Sequence, residues 1–212
     1  MTQLYRLDCS AAEIARRFGA HRGEDPWSGG YIAPLKFAPI VTAGREFVAG
    51  PRPSGKALAP RITPRLWGVL PPPASDDPSR RITAVRNTDS PFWIGNLRNS
   101  EFRCLIPATT VMLWGSGTDY EGRRLKHWFA PEHGGVFAMA GVWKDEDVPA
   151  FAILTSDAAG AAKEAGCTSM PVILPPDEAA WQVWLHGGWD RASALTRSDP
   201  VNGLREVGAP PR

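Results

Sequence analysis

The longest apolar run in this chain is Glu101-Phe102-Arg103-Cys104-Leu105-Ile106-Pro107-Ala108-Thr109-Thr110-Val111-Met112-Leu113-Trp114-Gly115. It opens on charged residues, carries β-branched Thr109, Thr110 and Val111 in its second half, and stops at a glycine. A continuous apolar run between turn residues predicts a central strand covered on both faces, leading into a functional pocket. Pro107 lacks an N–H, which predicts a bulge or a change of pairing partner there. Shorter runs predict strands at 3–7, 46–49, 65–70, 81–86, 126–130, 136–143, 151–155 and 170–174, and two proline-broken strands at 31–34 and 38–42. Helical signals are fewer. Ser10 and Glu13 form a capping-box pattern ahead of Ile14, Ala15 and Phe18, and Gly19 ends that helix. Helices are also expected at 157–165, at 177–185 with Trp181, Trp184 and Leu185 as its apolar side, and at 190–196. Residues 71–80 read as a polyproline-like loop. The pattern predicts one α+β domain over 1–198, with a curved or barrel-like, mainly antiparallel sheet core and peripheral helices, followed by a loose tail at 199–212.

Composition supports an ordinary globular chain. Its 212 residues are 43% hydrophobic and 22% charged, enough for one sizeable core. The 21 glycines and 21 prolines favour short elements and turns over a helical bundle. The net charge of +2 excludes little, but between Arg45 and Arg103 there are ten Lys or Arg against five acids. That excess fits a surface that follows a phosphate backbone, and fits equally a solvated basic face. Three cysteines without paired spacing, no leader-like opening and no apolar run of membrane-spanning length predict a cytoplasmic protein with reduced thiols. The four histidines are scattered, and no two are three or four residues apart, so neither a metal site nor a cofactor is expected. Lys126-His127-Trp128-Phe129 reads as strand packing.

Several blocks together resemble the SRAP family, the SOS response-associated peptidases, whose members sense abasic sites in single-stranded DNA. They are Tyr31-Ile32-Ala33-Pro34 with Ala38-Pro39-Ile40-Val41, Leu66-Trp67-Gly68-Val69, Val85-Arg86-Asn87 with Ser90-Pro91-Phe92-Trp93, Arg103 to Ala108, Phe137 to Trp143, Phe151 to Thr155, and Met170 to Leu174. The resemblance implies a barrel-like core with a DNA-binding cleft. It also implies a reaction in which an N-terminal cysteine, exposed by loss of the initiator Met, captures an abasic aldehyde as a thiazolidine. An asparagine, a glutamate and a histidine surround that cysteine.

This chain departs from the pattern at all four positions. Thr2 stands in the nucleophile's place, Ala84 in the asparagine's, Leu113 in the glutamate's and Cys167 in the histidine's, with Ser169 replacing an arginine before Met170-Pro171. Four departures inside matching flanks predict that the family reaction is lost or altered. Loss of Met1 would leave a free Thr2 amine able to form an imine, but a hydroxyl closes the ring far less readily than a thiolate. Cys167 is a replacement nucleophile only if a base or a positive charge supports it, and the sequence names no partner. Cys9 and Cys104 read as structural. DNA binding is the property expected to persist, in a monomer, with single-stranded or abasic DNA as the partner. The resemblance assigns Arg86 to phosphate and Trp67 to the rim of the cleft. Phe92 and Trp93 suit base stacking, and Arg98 and Arg103 suit phosphate. An active imine-forming or hydrolytic enzyme and a non-catalytic scaffold are the alternatives.

Overall fold

The computed structural model describes residues 4–45, 58–197 and 203–210. In chain order the elements are β1 (Leu4–Leu7), α1 (Ala11–Phe18), β2 (Gly30–Ile32), β3 (Phe37–Thr42), β4 (Arg61–Trp67), β5 (Ala84–Val85), α2 (Pro91–Arg98), β6 (Arg103–Ala108), β7 (Thr110–Thr118), β8 (Arg124–Pro131), β9 (Phe137–Lys144), β10 (Ala150–Asp157), α3 (Gly160–Glu164), β11 (Ser169–Pro171), α4 (Glu178–His186), α5 (Trp189–Ala194) and β12 (Leu204–Val207). Two sheets result. One runs β12-β8-β7-β1-β2. The other runs β11-β10-β4-β3-β6-β9, with β9 returning to pair with β10, so that β10, β4, β3, β6 and β9 close into a ring. Among the described strands, pairing is antiparallel except where β10 meets β4 and β5. The α+β class and the barrel-like core are therefore as the sequence pattern predicts. The expected strand at 46–49 lies outside the described residues.

The long apolar run is two strands, not one. The chain changes sheet at Thr109, two residues past Pro107. Pro107 stays within the β6–β9 ladder, opposite Ala138, while β3 pairs with β6 only at Cys104 and Leu105. The missing N–H thus falls beyond the β3 pairing and costs that ladder nothing. Thr109 makes the crossing because β1 claims it: its N–H and its hydroxyl both donate to the Arg6 carbonyl, at 2.7 and 2.9 Å, and its Oγ1 accepts from Asp8 N–H. Proline likewise fails to break β3, in which Pro39 lies opposite Pro64 of β4.

The capping box at Ser10 and Glu13 forms as read, and Gly19 ends α1 in the left-handed conformation. Helix α2 was not legible as one; Ser90 caps it and Pro91 opens it. The tail expected to be loose contains β12, which pairs with β8 from Leu204↔Pro131 to Val207↔Trp128. No helix among the described residues is long and apolar enough to cross a membrane.

Arg103 is fully buried and joins the ring to its helices. Its Nε donates to the Trp184 carbonyl at 2.6 Å, one terminal nitrogen to the Leu97 carbonyl at 3.0 Å, and the other to the Gly187 carbonyl. These acceptors lie at the C-terminal ends of α2 and α4, where orphan carbonyls and the helix dipole favour a cation. Trp184 adds an indole N–H to the Cys104 carbonyl at 2.8 Å. Arg103→Met preserves most of the volume but leaves three carbonyls unpaired. Urea unfolding should show a loss of at least about 3 kcal/mol.

Candidate functional site

The positions that depart from the resembled pattern fall into two places. Leu113 sits on β7, fully buried, opposite His127 of β8. Gly115, two residues on and on the same face, forms an isolated antiparallel bridge with Cys167, which is 5% exposed. Leu113 and Cys167 are thereby brought to one strand face. Ala84 is on the other sheet, in β5, alongside Ile153 of β10. Thr2 lies outside the described residues. Burial raises the Cys167 thiol above its ordinary range, and Leu113 can exchange no proton.

Gly115 has a steric reason to be glycine. A Cβ there would come within 2.7 Å of His127 Nε2. The imidazole therefore lies across Gly115, while its Nδ1 meets Glu206 Oε1 of β12 at 2.7 Å. His127 Nε2 is buried without a hydrogen-bond partner among the described residues. Neither residue was identified from sequence as part of the site. His127 reads as strand packing, and Glu206 falls in the stretch taken for a tail. The only signal is the register of β7, β8 and β12, which no local pattern encodes.

A second place is an open cleft of about 420 Å³ lined by Arg86, Thr88, Ser156, Asp157, Thr196 and Arg197, among others. Arg86 follows β5, is exposed, and pairs with Asp157 at the end of β10. A carboxylate thus already occupies the guanidinium expected to hold phosphate.

The remaining expected contacts separate by burial. Arg98 is exposed in the last turn of α2. Phe92 is half-buried, with the Lys144 ammonium 3.5 Å from its ring centre. Three expectations need correction. Trp93 is 5% exposed and packs edge-on against Phe92, so it offers no open face to a base. Trp67 is fully buried rather than at a rim: its indole N–H donates to the Thr83 carbonyl at 2.9 Å, and its ring meets Tyr5 and Phe151. Arg103 spends its guanidinium on internal carbonyls and reaches no phosphate. The basic excess counted along 45–103 therefore overstates the cations available on the surface.

Among the described residues no group of three or more His, Cys, Asp or Glu is placed to hold a metal ion.

The family model for SOS response associated peptidase (SRAP) matches residues 1–206. No curated protein matches the chain. Solved structures do. A Bordetella bronchiseptica protein is similar at 17% identity and TM-score 0.68, over 98% of this chain and 100% of that one. A Bacteroides thetaiotaomicron protein is similar at 16% identity and TM-score 0.69, over 97% and 91%. A phage-related protein from Bordetella bronchiseptica is similar at 16% identity and TM-score 0.67, over 97% and 93%. At these identities the likeness is one of fold.

Leu113 should behave as core. Leu113→Ala should cost about 2–5 kcal/mol of stability in urea unfolding, as expected for a fully buried leucine.

Proposed function

The chain belongs to the SOS response associated peptidase (SRAP) family, and from that premise we propose that it binds single-stranded or abasic DNA reversibly, without forming the family's stable thiazolidine crosslink. The observation that carries the reading is the open cleft at Arg86. It keeps the arginine of the family's Asn-x-Arg pattern at the surface. The asparagine's own position is Ala84, and the glutamate's is the buried Leu113. A surface that can hold phosphate is thus retained, while side chains that would move protons in the family reaction are absent from their usual places.

Within this reading Arg86 and Arg98 contact the DNA backbone, and Phe92 provides what stacking there is. The protein works as a cytoplasmic monomer in the response to DNA damage. Asp157 has a definite part: as the counter-ion of Arg86 it competes with phosphate and keeps affinity modest.

Fluorescence anisotropy with a labelled single-stranded oligonucleotide tests the binding. Arg86→Ala should weaken it and lower the slope of log affinity against log salt by about 1. Asp157→Asn should strengthen it. Failure of the wild-type protein to bind intact or abasic single strands would refute the reading, as would a crosslink that survives denaturing electrophoresis without reduction. A crosslink trapped only by borohydride would instead identify an imine at the N-terminal amine.

A further inference from the structure

We propose that the open edge of β8 at residues 124–127 is a docking site for a protein partner: an extended segment that alternates acidic and apolar residues and joins the second sheet as an added strand. The proposal does not depend on the DNA reading above.

The edge follows from the short reach of β12. On one side β8 pairs with β7 from Phe129 back to Arg124. On the other side β12 covers only Trp128 to Pro131. Past Val207 the chain heads for the opposite edge of the sheet, where the Tyr31 hydroxyl of β2 donates to the Pro210 carbonyl at 2.8 Å. Among the described residues no strand pairs with 124–127 on the β12 side, and Arg124, Leu125 and Lys126 are exposed. An uncovered edge offers a row of backbone N–H and C=O groups to another strand.

The charge on this edge selects the partner. Arg124 and Lys126 place their cations over the Trp114 ring, each 5.5 Å from its centre, so both lie on one face. Arg124 also donates to the Gly115 carbonyl at 3.1 Å. The acids at the tip of the β7–β8 hairpin are engaged elsewhere: Asp119 and Glu121 pair with Arg123, at 3.0 and 2.7 Å. Arg124 and Lys126 thus have no carboxylate partner among the described residues. An open cleft of about 560 Å³ lies beside them, lined by Trp114, Asp119, Arg123, Arg124, Leu125 and Lys126. Leu125 is 38% exposed and takes the other face, where a Cβ on Gly117 would come within 3.1 Å of its Cδ1.

An added strand reads these faces alternately. Successive side chains of a strand point to opposite sides, and residues two apart are separated by about 6–7 Å. A partner with an acid at every second position sets its carboxylates against Arg124 and Lys126, and the apolar residues between them fall on the Leu125 side. Lysine and arginine on an open edge repel basic strands and deter neutral ones, so the acidic strand is the one this edge admits. A nucleic-acid strand fits less well. It has no row of amides to pair with the edge, and the Trp114 ring already carries two cations instead of standing open to a base.

The probe is a fluorescein-labelled, end-capped heptapeptide of alternating glutamate and valine, titrated into the intact protein and read by fluorescence polarisation. It should bind saturably. A peptide of the same composition with its valines grouped at one end should bind at least about tenfold more weakly. Arg124→Glu combined with Lys126→Glu should weaken the alternating peptide at least about tenfold, and Lys126→Gln alone several-fold, while Arg86→Ala leaves it unchanged. Both substituted side chains are exposed, and circular dichroism checks that the variants are folded. Hydrogen exchange at 124–127 should slow on binding, the mark of backbone pairing. Absence of saturable binding, equal affinity for the two peptides, full affinity in the double variant, or unchanged exchange at 124–127 would each overturn the proposal. Nucleic acid as the true occupant would appear as loss of oligonucleotide binding in the double variant with no peptide bound at all, which also overturns it.

Discussion

A single guanidinium organises this fold. Arg103 lies inside the protein with no opposing carboxylate among its named contacts, neutralised in effect by the carbonyl ends of two helices. Burial lowers its pKa to about 10, with Arg45 adding to the effect, yet the side chain remains a cation at any ordinary pH. This one residue sets where α2 and α4 end relative to the closed ring of strands. It also has a local consequence. His186, at the end of α4, is held below the usual histidine range by burial and by the charges of Arg45 and Arg103. The helix end is therefore served by one charge, not two.

The other constraint is Thr109. Within one apolar run, Arg103–Ala108 belong to the ring, and the stretch from Thr110 to Gly115 belongs to the second sheet. The switch is made by hydrogen bonds to β1 and not by the proline that sequence reasoning favours. Once β7 is committed to the second sheet, Leu113 and Gly115 face β8 and the segment at Cys167. The pocket end of β7 is thus built by three separate stretches, none of which recognises another locally.

Sequence patterns were informative wherever a structure is encoded by neighbours. The capping box at Ser10 and Glu13, the glycine stop at Gly19, and the strands at 126–130 and 136–143 follow from side chains a few residues apart. Family membership was legible for the same reason, in short blocks carrying their own motif. What was not legible depends on distant register. Trp67 and Arg103 look alike as surface or core residues until their indole and guanidinium protons are traced to carbonyls at Thr83, Leu97, Trp184 and Gly187. Counting charges along 45–103 cannot separate Arg86, which is exposed, from Arg103, which is not. His127 and Glu206 are 79 residues apart, and only the pairing of β8 with β12 brings them together.

That pairing affects how the molecule is made. The second sheet takes β1 from residues 4–7 and β12 from residues 204–207, whereas all the strands of the ring, β3, β4, β6, β9 and β10, lie between residues 37 and 157. All five ring strands are therefore synthesised before β12. β12 completes the sheet at the β8 edge, and the Tyr31 hydroxyl donates to the Pro210 carbonyl at 2.8 Å. Glu206 arrives with that strand. The imidazole at residue 127 thus depends for its carboxylate on a strand that is made 79 residues later.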